Sequence, residues 1–133
     1  IQIKIRNWSV GVATGVISAD TWNHFALVRD ASDNVAFFLN GTRTTSNTGI
    51  SGDVGQTNQE AIGVGGLADG QIRFNQGGNG WMDEVRVSSI ARYDPTASSH
   101  TLPSAAFVND DDTKLLIHGD GADGSTTFTD DDA

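Results

Sequence analysis

The sequence predicts an all-β fold, an antiparallel β-sandwich of the jelly-roll type with about nine short strands. Apolar residues alternate with polar residues over short stretches, and no segment repeats them for long at the period of a helix. The 133 residues suit one domain and include 16 glycines but only two prolines. Many glycines with few prolines favour tight turns between strands over a disordered linker.

The first half of the chain contains five strand-like stretches separated by turn residues. Ile1, Ile3 and Ile5 alternate with polar residues, which is the pattern of a half-buried strand. Residues 30–34 have the composition of a hairpin loop, and Asn40-Gly41 is a strong signal for a tight hairpin turn. The remaining stretches are residues 10–17, 25–29, 35–40 and 42–46.

The second half of the chain has longer loops between its strands. Residues 47–55 and 67–80 are rich in small and polar turn residues, and residues 60–65 form a short strand between them. Residues 81–88 are the clearest strand of the sequence. We expect a loose segment over 94–109, which holds both prolines, then a strand at 114–118 and a candidate strand at 126–129.

The charge balance excludes several classes of partner. The chain has 17 acidic and 8 basic residues, a net charge of −9, which argues against a nucleic-acid backbone or an anionic membrane surface as partner. No apolar run approaches the length of a membrane span, and the absence of cysteine excludes disulfides, thiolate zinc sites and cysteine nucleophiles. Fifteen of the acids are aspartates, which suits turns and calcium ligation.

The chain begins at Ile1, and its single methionine is Met82. We therefore expect either a processed protein or part of a longer one.

Three segments, in this order along the chain, resemble strands of one protein family. Residues 22–30, Trp-Asn-His-Phe-Ala-Leu-Val-Arg-Asp, resemble the Trp-His strand of laminin G-like domains, and residues 35–41 resemble the next strand with its Asn-Gly turn. Residues 80–88, Gly-Trp-Met-Asp-Glu-Val-Arg-Val-Ser, resemble the closing strand. Their order and spacing identify the chain as similar to the laminin G-like form of the concanavalin A-like lectin/glucanase jelly roll.

The C-terminal part resembles the spacer and opening strand of a further laminin G-like unit, as in tandem versions from bacteriophage and marine viral structural proteins. The resemblance implies three segments: the later part of one unit over 1–93, a linker over 94–113, and the start of a further unit over 114–133. We expect the strand at 114–118 to pair with residues 82–88, either within the chain or in a neighbouring subunit.

Asp83 is the most informative acidic residue. Strand alternation places it on the same face as Val85 and Val87, so its carboxylate is expected at the rim of the core, where it needs hydrogen bonds or a cation. The resemblance implies a structural calcium at this position, with Asp83, Asp120 and Asp123 as candidate ligands beside carbonyl groups and water. The alternative is that Asp83 caps backbone N–H groups and binds no metal.

The other acidic and histidine residues give weaker signals. The triplets at 110–112 and 130–132 are interpreted as solvated loop and terminus, without the spacing of an EF-hand. The three histidines lie far apart in sequence and show no zinc motif. His24 alternates with Trp22, Ala26 and Val28, and it is interpreted as a core histidine and not as a ligand.

The sequence does not predict an enzyme. Glucan-cleaving enzymes of this fold carry paired carboxylates on one face of a strand, whereas Asp83 and Glu84 are adjacent and Glu60 stands alone. No nucleophile elbow or phosphate-binding loop is present in the sequence.

Glycan binding requires aromatic side chains with amides nearby. The candidate ligand-binding residues are Trp81, Phe74 and Asn75, together with Trp8 and Phe38. Trp22, Phe25 and Phe37 are expected in the core.

The leading hypothesis is a non-catalytic recognition or structural module of a virion or extracellular protein, which binds glycans or neighbouring protein subunits in adhesion. We expect an oligomer or part of a larger assembly. The alternatives are a purely architectural, self-assembling virion subunit and an accessory carbohydrate-binding domain of a secreted polysaccharide-degrading enzyme.

Overall fold

The computed structural model describes residues 2–5, 8–12, 17–18, 20–49 and 81–132. These residues form antiparallel strands and no helix, so the all-β prediction is confirmed. None of them belongs to a helix long and apolar enough to cross a membrane. The strands are β1 (Gln2–Ile5), β2 (Trp8–Val12), β3 (Phe25–Arg29), β4 (Val35–Leu39), β5 (Thr42–Asn47), β6 (Val85–Ser88) and β7 (Thr113–Ile117).

The chain divides into two compact units. Unit 1 comprises Ile1–Gly78 and Tyr93–Leu102, and unit 2 comprises Asn79–Arg92 and Pro103–Ala133. Unit 1 contains the β1–β2 hairpin and the three-stranded sheet β3–β4–β5, whereas unit 2 contains the β6–β7 pair.

Strand β4 is the centre of the sheet in unit 1. All five of its residues are buried, so this strand is covered on both faces and its sequence is a continuous apolar run. On one face Phe38 lies opposite Ala26, and Ala36 lies opposite Val28, and these residues form the described core together with Tyr93. The opposite face carries Val35, Phe37 and Leu39.

The turn between β4 and β5 confirms the Asn-Gly signal. Asn40 and Gly41 both have positive φ, 49° and 78°, as a two-residue hairpin turn of type I′ requires. A Cβ placed on Gly41 would lie only 2.7 Å from the main-chain oxygen of His100, so glycine is needed here for space as well as for conformation. Gly49 also has positive φ, 72°, but nothing lies within 4 Å of the equivalent Cβ position.

Residues 93–101 pack along β5 in unit 1. The main-chain N–H of Arg43 donates to Ser98 O (2.9 Å), and the N–H of His100 donates to Gly41 O (2.8 Å). The Arg43 guanidinium also donates to two carbonyl groups in this segment, those of residues 95 and 96. Although 93–101 carries no regular strand, it covers the outer edge of β5 near the hairpin turn.

Unit 2 is built around the β6–β7 pair. Val85 lies opposite Ile117, and Arg86 lies opposite Leu116, whose side chain is fully buried. The predicted pairing of these two segments therefore occurs within one chain in this structure. On the other side of β7, Leu116 O accepts a hydrogen bond from the N–H of Asp131 (2.8 Å), and the N–H of Leu116 donates to the Asp130 carboxylate (3.0 Å).

Several strand predictions need correction. Residues 81–84 are not part of β6, because Glu84 has a φ of 54° and interrupts the extended backbone before Val85. Val87 was expected in the core, but 39% of it is exposed, while Arg86 stacks over the Phe107 ring at 4.1 Å. The candidate strand at 126–129 is wrong, because these residues form no strand. The predicted strand at 60–65 lies outside the described residues.

Two aromatic residues expected in the core are exposed. Trp22 is 72% exposed and Phe25 42%, whereas Phe37 is buried as predicted. The Phe25 ring on β3 stacks against the Phe37 ring, with 6.2 Å between the ring centroids. This contact leaves part of the Phe25 surface exposed. Trp22 lies in the irregular segment that precedes β3.

Candidate functional site

Asp83 lies immediately before β6 and contacts the residues that follow β7. One of its carboxylate oxygens, Oδ1, accepts hydrogen bonds from the N–H groups of Gly119 (2.7 Å) and Glu84 (2.8 Å). The residue is exposed, and the positive φ of Glu84 ends the strand alternation of β6 before Asp83. The observed contacts are those of an aspartate that caps backbone N–H groups.

Asp120 and Asp123, the other predicted calcium ligands, lie in the exposed segment after β7. Asp120 adjoins Gly119, so its backbone is close to Asp83 in the fold. Within the described part of the chain, no three histidine or acidic side chains converge into a group that fits a metal ion. Calcium at Asp83, with Asp120 and Asp123 as further ligands, stays a prediction.

Glu84 and His118 form a polar network that links β6 to the C-terminal segment. His118 Nδ1 lies 2.7 Å from Glu84 Oε1, and His118 Nε2 lies 3.3 Å from the Asp131 carboxylate. The other Glu84 oxygen accepts the N–H of Phe107 at 2.6 Å. The hydrogen bond with Glu84 raises the pKa of His118, whereas partial desolvation lowers it. The negative charges of Glu84, Asp131 and Asp120 raise it further.

The two acidic triplets have structural roles that the sequence interpretation missed. The Asp110 carboxylate accepts hydrogen bonds from both terminal nitrogens of the Arg92 guanidinium, at 2.5 and 2.6 Å. It also accepts a hydrogen bond from the Thr113 hydroxyl. These hydrogen bonds with Arg92 hold the pKa of Asp110 well below its ordinary value. Asp130 binds the N–H groups of Leu116 and Asp132. The first aspartate of each triplet accepts a hydrogen bond from the N–H two residues later, which is an Asx turn. The tendency of aspartate to form such turns was the sequence signal for this structural role.

The predicted glycan-binding residues are only partly described, and the candidate Phe38 is wrong, because its side chain is fully buried in the core. Trp81 is 90% exposed, which is the highest exposure among the large apolar side chains in the described part of the chain. Phe74 and Asn75 lie outside the described residues, so their position relative to Trp81 stays a prediction. An exposed indole provides a flat apolar face and an N–H donor, both of which suit a sugar ring.

Unit 1 also contains an aromatic cluster that joins histidines distant in sequence. His100 stacks on Tyr93 with 3.7 Å between ring centroids, and it makes edge contacts with Phe38 (5.0 Å) and His24 (5.3 Å). His24 is half-buried against these rings, as expected for a packed histidine. No local pattern indicates this cluster, because its members are separated by up to 76 residues, from His24 to His100.

The two acids next to β6 are engaged in structural contacts. Asp83 holds two N–H groups, and Glu84 holds an N–H group and a histidine. Glu60 lies outside the described residues. Asp83 and Glu84 therefore connect β6 to residues 107, 118 and 119, while the Trp81 side chain beside them stays exposed.

Comparison with known families gives one finding. The family model described as the concanavalin A-like lectin/glucanases superfamily, in its laminin G form, matches residues 3–98. This range covers the β3–β4 hairpin, the Asn-Gly turn between β4 and β5, and the β6 segment. Neither the curated proteins nor the solved structures give a significant match.

Proposed function

Because the chain belongs to the concanavalin A-like lectin/glucanase superfamily, we propose that it is a non-catalytic module that binds carbohydrate in adhesion. Domains of this kind often bind carbohydrate or mediate adhesion, and the strands of this chain fit their all-β architecture. The proposed setting is the surface of a virion or an extracellular protein of the tandem laminin G-like type. Its proposed partners are glycans, with neighbouring subunits in a larger assembly.

The observation that carries the proposal is the exposure of Trp81 on this fold. An indole with 90% of its surface in water contributes little to folding, since apolar stabilisation scales with the area removed from water. Aromatic side chains are a favoured means of binding the apolar face of a ligand, with polar groups at its edge. The contacts of Asp83 and Glu84 support the non-catalytic part of the proposal, because both acids hold backbone groups.

The proposal is tested by presenting the full chain to an array of neutral, sialylated and sulfated glycans. We expect selective binding to a small set of related glycans, with weaker binding by the Trp81→Ala variant. The mass of the chain in solution, measured by light scattering, is the second readout. Self-assembly without binding to any glycan would reject the proposal and favour the architectural role.

Hydrolysis of a bound polysaccharide, measured as newly formed reducing ends, would reject the non-catalytic part of the proposal alone. The matched control for this assay is the Glu84→Gln variant. Any hydrolysis that persists in this variant would come from other acids or from a contaminating enzyme.

A further inference from the structure

The Asn40-Gly41 pair of the β4–β5 turn is chemically reactive in a flexible chain. The main-chain nitrogen of the glycine can attack the side-chain amide carbon of the asparagine, and glycine favours this attack because it has no Cβ. A new N–C bond closes a five-membered succinimide ring, and the amide nitrogen leaves as ammonia with the proton of the attacking nitrogen. Water then opens the ring at either carbonyl group and gives aspartate or isoaspartate.

The side-chain amide of Asn40 is held at both ends. Its Oδ1 accepts the main-chain N–H of His24 at 2.8 Å, and its Nδ2 donates to Asn23 Oδ1 at 2.9 Å. Because an N–H group donates to the amide oxygen and not to its nitrogen, the His24 contact fixes the orientation of this amide. The Asn23 amide is fixed in the same way, since its Nδ2 donates to the carbonyl oxygens of Ser18 (3.2 Å) and Thr21 (3.0 Å).

The main chain of the turn is held as well. The N–H of Asn40 donates to His24 O (2.8 Å), and Gly41 O accepts the N–H of His100 (2.8 Å). Asn40 and Gly41 have the positive φ values of a type I′ turn, 49° and 78°. A succinimide ring includes the Cα–C bond of Asn40, so it fixes ψ of this residue at a value that a type I′ turn does not use. The ring can therefore close only after the turn opens.

We propose that Asn40 is a deamidation site that the folded β4–β5 turn suppresses and that local opening of the turn makes reactive. The residue is exposed at the surface, so water reaches it as soon as the ring has formed. The rate of modification then follows the fraction of molecules in which the turn is open.

The product does not fit the turn, so the modification is one-way. With aspartate at position 40, a carboxylate oxygen takes the place of Nδ2 and faces Asn23 Oδ1, and two acceptors meet without a hydrogen between them. Asn23 cannot turn its amide round to donate instead without losing its bonds to Ser18 and Thr21. Isoaspartate adds a main-chain atom to a two-residue turn whose register depends on its length.

The experiment follows deamidation in the full chain by peptide mass mapping, in buffer and in urea that unfolds the chain. Trypsin separates Asn40-Gly41 in peptide 30–43 from the second such pair, Asn79-Gly80, in peptide 74–86. The rate of Asn79-Gly80 in urea is the reference for an unprotected pair, and we expect Asn40 to match it there. In buffer, Asn40 is expected to react at least about tenfold more slowly than in urea. Equal rates for Asn40 in the two solvents would overturn the proposal.

Two variants test the role of the Asn23 amide. Asn23→Ala removes the acceptor of Asn40 Nδ2, and the folded variant is expected to deamidate at Asn40 about fivefold faster than the wild type. Thr21→Ala is the matched control, because it removes the hydroxyl bond to Ser18 O (3.1 Å) in the same segment and leaves both bonds of the Asn40 amide. An unchanged rate in Asn23→Ala, or equal acceleration in Thr21→Ala, would overturn this role. The comparison between buffer and urea needs no variant and stands if Asn23→Ala does not fold.

The Asn40→Asp variant reproduces the aspartate product. Its Tm is expected to lie about 3 °C or more below that of Asn47→Asp, which adds the same charge in the same hairpin. Asn47 Oδ1 accepts the N–H of Thr48 at 2.8 Å, and a carboxylate can accept this bond equally well. Equal Tm values for the two variants would show that the turn accepts the product and would overturn the one-way character of the modification.

Discussion

The replacement Phe38→Ala tests the core of unit 1 most directly. Phe38 is 0% exposed and packs with Val28 and Ala36 on the inner face of the sheet. Its ring also makes an edge contact with His100 at 5.0 Å, which helps to hold residues 93–101 in place. The variant removes this buried ring and leaves a cavity that neighbouring side chains fill only in part.

The size of the effect follows from burial. Complete burial of a Phe side chain is worth about 1.5–3 kcal/mol, and the cavity left behind raises the cost of truncation to about 3–5 kcal/mol. This is a large fraction of the about 5–15 kcal/mol that stabilises a typical domain. Phe25→Ala is the matched control, because Phe25 is 42% exposed in the same sheet, and its loss is expected to cost about 1–2 kcal/mol.

The assay is equilibrium unfolding in urea. The free energies of unfolding are compared between variants with the same dependence on urea concentration, the m value. If Phe38→Ala does not fold, Phe38→Leu keeps most of the volume and is expected to lose less than about 1.5 kcal/mol. Amide exchange in residues 93–101 should also increase in the variants of Phe38. Equal losses for Phe38→Ala and Phe25→Ala, or a loss below about 1.5 kcal/mol for the former, would refute the described core.

Three further predictions concern individual residues. Gly41→Ala should cost at least about 1 kcal/mol more in urea unfolding than Gly49→Ala, because both residues have positive φ but only the first meets a main-chain atom; equal costs would contradict the contact. The raised pKa of His118 predicts stability that is fully present below its unfolded pKa of about 6.5 and lost as pH rises through the higher folded value. Tm measured from pH 5.5 to 8.5 should show this loss in the wild type and not in His118→Gln, and parallel profiles would contradict it. If calcium binds at Asp83, then calcium at 100 times its Kd adds about 2.7 kcal/mol to the free energy of unfolding, and the resulting gain in Tm should vanish in Asp83→Asn. A Tm that chelation leaves unchanged would contradict the calcium site.

The strands of unit 1 could be predicted because their signals are local. The apolar runs at 25–28 and 35–39, with the turn residues between them, predicted β3 and β4 to within a residue. The Asn40-Gly41 pair specified the next turn, because these residue types tolerate the positive φ that a two-residue hairpin needs. The family was also predictable from these motifs.

The candidate sites were less predictable, because they depend on which face of a strand or turn is covered. Alternation placed Trp22 with core residues, yet the segment before β3 leaves 72% of it exposed. The same rule placed Asp83 beside Val85, but the positive φ of Glu84 changes the direction of the chain between them. The acidic residue Asp110 was expected in solvent, whereas Arg92, 18 residues away, binds it.

The sequence by itself therefore determined β3, β4 and the turn that follows β4, since their signals depend on neighbouring residues. Only the tertiary structure decided that His100 stacks on Tyr93 beside Phe38 and that residues 93–101 lie against β5. Contacts of this kind join residues far apart along the chain, and their free energy comes from burial and geometry that no local pattern records. The covering of one face and the exposure of the other follow from that packing.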